Sequence, residues 1–96
     1  MRFYWTLVEC ASYTAGLAAL GDVRVIDDAL TALVWALSRN PEAYPVVPGM
    51  VDIRLAKTDP QIGTPIPRIR VWFRVDREME RVYLEHVEFD SYEFDA

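Results

Sequence analysis

From Arg68 to Asp76 apolar and polar side chains alternate without a break, and this run constrains the fold more than any other stretch. Ile69, Val71, Phe73 and Val75 fall on one parity; Arg68, Arg70, Trp72, Arg74 and Asp76 fall on the other. A period of two is that of a β-strand with one buried and one wet face. After a short polar connection, Val82 and Leu84 alternate with Arg81, Tyr83 and Glu85, so a second strand pairs with the first as a hairpin. The hairpin gathers Arg68, Arg70, Arg74, Arg81, Trp72 and Tyr83 on one side of a sheet. Arginines interleaved with aromatics suit a surface that contacts phosphate or RNA. They also describe an ordinary solvated sheet face, which needs no ligand to explain it.

Upstream, residues 3–10 are rich in aromatic and β-branched side chains and read as a strand. Ser12 can cap a short helix on which Tyr13, Leu17 and Leu20 share a face, with Gly21 at its end. Ile26, Ala29, Leu30, Leu33, Val34 and Leu37 form the broad apolar stripe of a second helix. Asp22 is its N-cap by position, Asp27 and Asp28 suit the positive end of its dipole, and Arg39 suits the negative end. Asn40-Pro41 stops it. Residues 41–49 hold three prolines and a glycine and cross over in extended form. Val51, Ile53 and Leu55 then alternate with Asp52, Arg54 and Ala56, which predicts another strand with Arg54 facing the arginine side. Residues 58–67, again with three prolines and a glycine, read as a long exposed loop. The expectation is one α+β domain over residues 1–96. Both helices pack on the apolar face of a three- to four-stranded antiparallel sheet and leave the arginine face open.

The 96 residues are 52% hydrophobic, enough for one core but too few to enclose a large cofactor as well. A formal charge of -5 excludes a protein that binds nucleic acid with its whole surface. The charge is uneven, because seven of the ten basic residues lie between Arg54 and Arg81, while Glu88, Asp90, Glu93 and Asp95 follow His86 with no base among them. Cys10 stands alone, which excludes a disulfide framework and a thiolate zinc site and suits a small buried hydrophobe. With neither a signal-peptide pattern nor a run of ~20 apolar residues, the chain reads as a cytoplasmic, soluble domain without a membrane partner.

The segments ALSRNPEAYPVVPG, VDIRLAK, IRVWFRVD and RVYLEHVEF, in that order and spacing, resemble the RelE/ParE superfamily of toxins from type II toxin–antitoxin systems. The resemblance covers nearly the whole chain. It implies an antitoxin protein as partner, with a homodimer as a further possibility, and no cofactor or metal. It also implies one of two actions. RelE-like members cut messenger RNA on the ribosome, where the 2′-OH attacks the adjacent phosphate. That reaction needs a base, an acid and a cation at phosphorus. ParE-like members inhibit DNA gyrase and lack a nuclease constellation. A non-catalytic binding protein of the same fold, a gyrase inhibitor or an inactive relic, is the alternative to the endoribonuclease.

Carried onto this sequence, the resemblance marks Arg70 for transition-state charge and Arg54 as a basic position on the preceding strand. Asp52 stands where a second base is expected, and parity sends Lys57 to the opposite face. His86 is the only histidine, and histidine alone titrates near neutrality without perturbation. Strict alternation buries it with Val82 and Leu84 unless the strand bends at Val87. Tyr92 lies in the tail, where some members place a catalytic tyrosine. The catalytic candidates are thus Arg54, Arg70, His86 and Tyr92; Arg68, Arg74, Arg81 and Tyr83 are the RNA-binding ones. The carboxylates after His86 depart from the pattern and repel RNA. Trp35 lies off the leucine stripe of its helix, as interface tryptophans do.

Overall fold

A computed structural model describes residues 4–21, 24–58 and 68–90. Its centre is the hairpin of β3 (Ile69–Asp76) and β4 (Arg81–Phe89), antiparallel as the alternation requires. Asp76 Oδ1 accepts the Met79 N–H at 3.2 Å, and Glu80 takes the left-handed conformation (φ 53°) that closes the turn. β2 (Ile53–Lys57) pairs antiparallel with the other edge of β3. The N-terminal strand β1 (Thr6–Glu9) lies beside β4 in parallel, so the four-stranded sheet is mixed, in the order β1-β4-β3-β2. The three strands after Met50 do form the expected antiparallel meander.

Two helices cover one face. In α1 (Ala11–Leu20), Tyr13 and Leu20 are buried, and Gly21 ends the helix with φ 95°, which a glycine adopts without strain. Gly16 sits so close to β4 that a Cβ there would collide with the Val87 carbonyl oxygen. In α2 (Arg24–Arg39), Ile26, Leu30, Leu33 and Leu37 turn inward at helical spacing. Pro41 opens a single 3-10 turn (Pro41–Ala43) immediately after α2. Phe73, Val71, Val82 and Leu84 from the sheet join Leu37, Leu33 and Tyr13 from the helices in one core. No described helix is long and apolar enough to cross a membrane.

Four local expectations are corrected. Ser12 is not a cap: Cys10 holds the N-cap position of α1 without a side-chain bond, and Ser12 lies within the helix. The strand read over residues 3–10 is confined, among the described residues, to Thr6–Glu9. The parity of β2 is reversed, since Arg54 pairs with Phe73 and Ala56 with Val71 on the core side, leaving Ile53, Leu55 and Lys57 on the open face. The crossing segment lies on the core side, where its Tyr44 packs edge-on against Phe73 (5.8 Å between ring centres). The Arg54 guanidinium donates to the carbonyls of Glu42 (3.2 Å) and Tyr44 (2.6 Å), satisfying backbone acceptors that the segment would otherwise strand.

The fourth correction concerns β4. Trp72 opposes His86 while Phe73 opposes Leu84, so Glu85 is an extra residue, a β-bulge. Beyond it the parity shifts by one. Val87 returns to the core and His86 turns to the open face. The Asp22 cap, most of the loop over residues 58–67, and Tyr92 lie outside the described residues.

Candidate functional site

The open face can be read in rows across β2, β3 and β4. Lys57, Arg70 and Glu88 form one row; Leu55, Trp72 and His86 the next; Ile53, Arg74 and Tyr83 the third. Asp76 and Arg81 close the sheet at its turn end. Trp72 is the middle of the arrangement, with the His86 ring centre 5.3 Å from its own and the Arg70 guanidinium carbon 5.0 Å away. A cation, a flat aromatic surface and a titratable imidazole therefore meet on adjacent positions. They supply charge for a phosphate, a stacking surface for a base and a group that moves a proton.

The arginines carry internal counterions. Arg70 Nη2 lies 3.2 Å from Glu88 Oε1, and Arg70 Nη1 3.8 Å from Asp90 Oδ1. Lys57 Nζ lies 3.0 Å from the other Asp90 oxygen. Arg74 Nε is 3.3 Å from Glu85, and its guanidinium stacks over the Tyr83 ring at 4.4 Å. Glu85 and Glu88 are partly exposed, and such pairs contribute about 0–1 kcal/mol each, so a phosphate can displace them. Asp90 differs. It is only 3% exposed and serves both Lys57 and Arg70, which fixes the two cations relative to each other.

Of the four catalytic candidates, the structure brings together Arg70 and His86. Arg54 is on the other side of the sheet, committed to the crossing segment. Tyr92 is outside the described residues. Among the RNA-binding candidates, Arg74, Tyr83 and Arg81 line the open face. Arg68 turns aside, its Nε donating to the Thr58 carbonyl at 2.9 Å. Sequence reasoning missed Lys57 as a member of this face, and it missed the carboxylates as partners rather than repellents. One signal was available: the apolar positions Val82, Leu84, Val87 and Phe89 are spaced two, three and two, and the three marks the bulge. The pairing of Lys57 with Asp90 has no local signal, because the two are joined only by the fold.

Cys10 is held as a thiol, since burial raises its pKa and the Glu85 charge adds to that against a smaller opposing effect of Arg74. Trp35 is exposed as expected and is not bare: the Arg39 guanidinium lies between its ring (4.2 Å) and that of Tyr4 (3.9 Å). Among the described residues no group of three or more His, Cys, Asp or Glu side chains converges as a metal site.

No protein-family model matches the chain, and no curated protein matches it in sequence. Solved structures do match its fold. The toxin–antitoxin complex RelBE2 of Mycobacterium tuberculosis contains a chain that superposes with a TM-score of 0.67 at 17% identity, over 91% of this chain and 99% of that one. A mutant of the E. coli toxin RelE in the free state gives 0.63 at 16% identity, over 96% and 88%. The isolated E. coli RelE toxin gives 0.61 at 16% identity, over 95% and 94%. The chain thus has the RelE fold, over nearly its full described length.

Proposed function

We propose that this chain is the toxin of a cytoplasmic toxin–antitoxin pair and that its open sheet face cleaves messenger RNA. The observation that carries the reading is the bulge at Glu85, which sets His86 beside Trp72 and Arg70 on the face opposite the helices. The shared fold with RelE toxins, one of them in a complex with its antitoxin, supports it.

In this reading the RNA 2′-oxygen attacks the neighbouring phosphorus, a 2′-O–P bond forms and the P–O5′ bond breaks. The products are a 2′,3′-cyclic phosphate and a 5′-hydroxyl. Arg70 leaves Glu88 for the phosphoryl oxygens and stabilises the charge that builds there. His86 moves a proton at the reacting oxygens, and Tyr92 is the sequence's candidate for the complementary transfer. Arg74, Arg81 and Tyr83 contact the flanking backbone. Arg54 is assigned to the fold instead.

Expression in growing cells tests this directly. Wild-type protein should arrest growth and leave cuts inside translated messages. Arg70→Ala should lower the rate by ~10²–10³, as loss of one charge-stabilising donor does. Absence of cuts with translating ribosomes present, or full activity of Arg70→Ala, overturns the assignment. The second reading is a non-catalytic binder, a gyrase inhibitor or an inactive relic. The specific observation favouring it is that Glu85, Glu88 and Asp90 pair with Arg74, Arg70 and Lys57.

A further inference from the structure

Ser12 Oγ lies 2.8 Å from His86 Nδ1, across 74 residues of sequence. Nothing in the proposed reaction needs a serine at this place, and a helix start does not need one within its first turn. Three features converge to make the contact. The Cys10 N–H donates to the Leu84 carbonyl at 3.0 Å, which fixes the start of α1 on β4. Gly16 lets α1 ride directly against the Val87 backbone. Ser12 precedes Gly16 by four residues, one helical turn, and so shares its side of the helix. The residue before Val87 on β4 is His86. The bulge at Glu85 then gives the imidazole its direction, towards Trp72.

We infer that Ser12 is a positioning residue for His86, holding the imidazole by Nδ1 so that Nε2 is the atom left for proton transfer. This rests on the reading of His86 as the proton-transfer group of the open face. A hydroxyl is suited to the task because it both donates and accepts. It can donate to a bare Nδ1 and accept from an Nδ1–H, so the ring keeps its place whether neutral or charged. A carboxylate in the same position would hold only the protonated Nδ1–H, and a backbone N–H only the bare nitrogen. The charged groups around the ring are already matched to one another: Glu85 with Arg74, and Glu88 with Arg70. Ser12 therefore holds the ring without adding a charge to the site.

His86 is the only histidine, so its ring nitrogens can be read by 15N NMR on the whole protein without assignment ambiguity. In the neutral state the wild type should show one tautomer, with Nδ1 bare and Nε2 protonated, and a ring-to-ring contact to Trp72. Ser12→Ala should mix the tautomers and weaken that contact, while Ser12→Thr should restore both. In the cleavage assay Ser12→Ala should lose ~10–100-fold in rate with little change in RNA affinity, the size expected for a misplaced catalytic group. An unchanged tautomer and ring contact in Ser12→Ala overturns the inference, as does full cleavage by that variant. Absence of cleavage by the wild type sinks the nuclease reading but leaves the NMR result to decide Ser12 by itself.

Discussion

Asp90 is a carboxylate with almost no contact with water, and its two oxygens face two different cations. Charge buried in this way is tolerated only when it is paired, and removing one partner is costly. Asp90→Ala should therefore destabilise the protein by ~2–3 kcal/mol, less than for a wholly buried pair because Lys57 keeps access to water. Urea denaturation measures it, and a change below 0.5 kcal/mol, about that of an ordinary surface substitution, would show that the pair is not structural. Tyr13 offers a second measurement. Burial, with the Glu9 charge adding to it, pushes its phenol up to about 12 from an ordinary 10.0. Below pH 10 both folded and unfolded chains hold this proton and the full stability is present. Between 10 and 12 only the unfolded chain gives it up, so stability falls as pH rises, by about 1.4 kcal/mol per unit from this group. Tyr13→Phe should lose less stability than the wild type between pH 10 and 11. An equal loss in both proteins would discard the effect.

β4 carries the site because it is irregular. Deleting Glu85 would remove the extra residue and leave Val82, Leu84, Val87 and Phe89 in unbroken alternation towards the core, with His86 and Glu88 still on the open face. The deletion protein should therefore keep a cooperative unfolding transition, and loss of that transition would mean that the bulge itself is needed to seat β4 between β1 and β3. The same strand shows what was legible in the sequence. Alternation located β3 and β4 and named the buried face, because Ile69, Val71 and Phe73 have no other consistent solution. The leucine stripe located α2 for the same reason. β2 was misread because Ile53 and Leu55 alternate as a core face would, whereas the carbonyls of Glu42 and Tyr44 in the crossing segment take the Arg54 guanidinium on the other side. Ser12 was misread because local chemistry offers a cap, while the bond it makes depends on a strand 74 positions away. Periodicity reports on an element's own faces, and contacts between elements decide the rest.

For the whole molecule, a net charge of -5 coexists with a face whose Arg70 and Arg74 are neutralised from within. An acidic segment that binds this face must displace Glu85 and Glu88 with carboxylates of its own. Its affinity should then fall as salt rises, since exposed charge pairs are screened. Replacing Glu85 and Glu88 with glutamine should strengthen binding of an acidic peptide and of RNA alike, read by titration at two salt concentrations. Binding that ignores both salt and these substitutions would move the contact to the aromatic stack of Tyr4, Arg39 and Trp35.

The parallel pairing of β1 with β4 has a consequence in time. Thr6 lies opposite Arg81, so the first described strand waits for the last before it has a neighbour. The sheet order places β4 between β1 and β3, and without it β1 and the β2–β3 pair are separate pieces. Pairings between distant parts of a chain form late, because the loop between them must be closed first. On the ribosome, where chains emerge N-terminus first at about 5–20 residues per second, β1 has no sheet partner until β4 has been made. His86, Glu88 and Asp90 arrive on that same final strand. A protein built by ribosomes and proposed to act on them thus gains this surface only once β4 has been made.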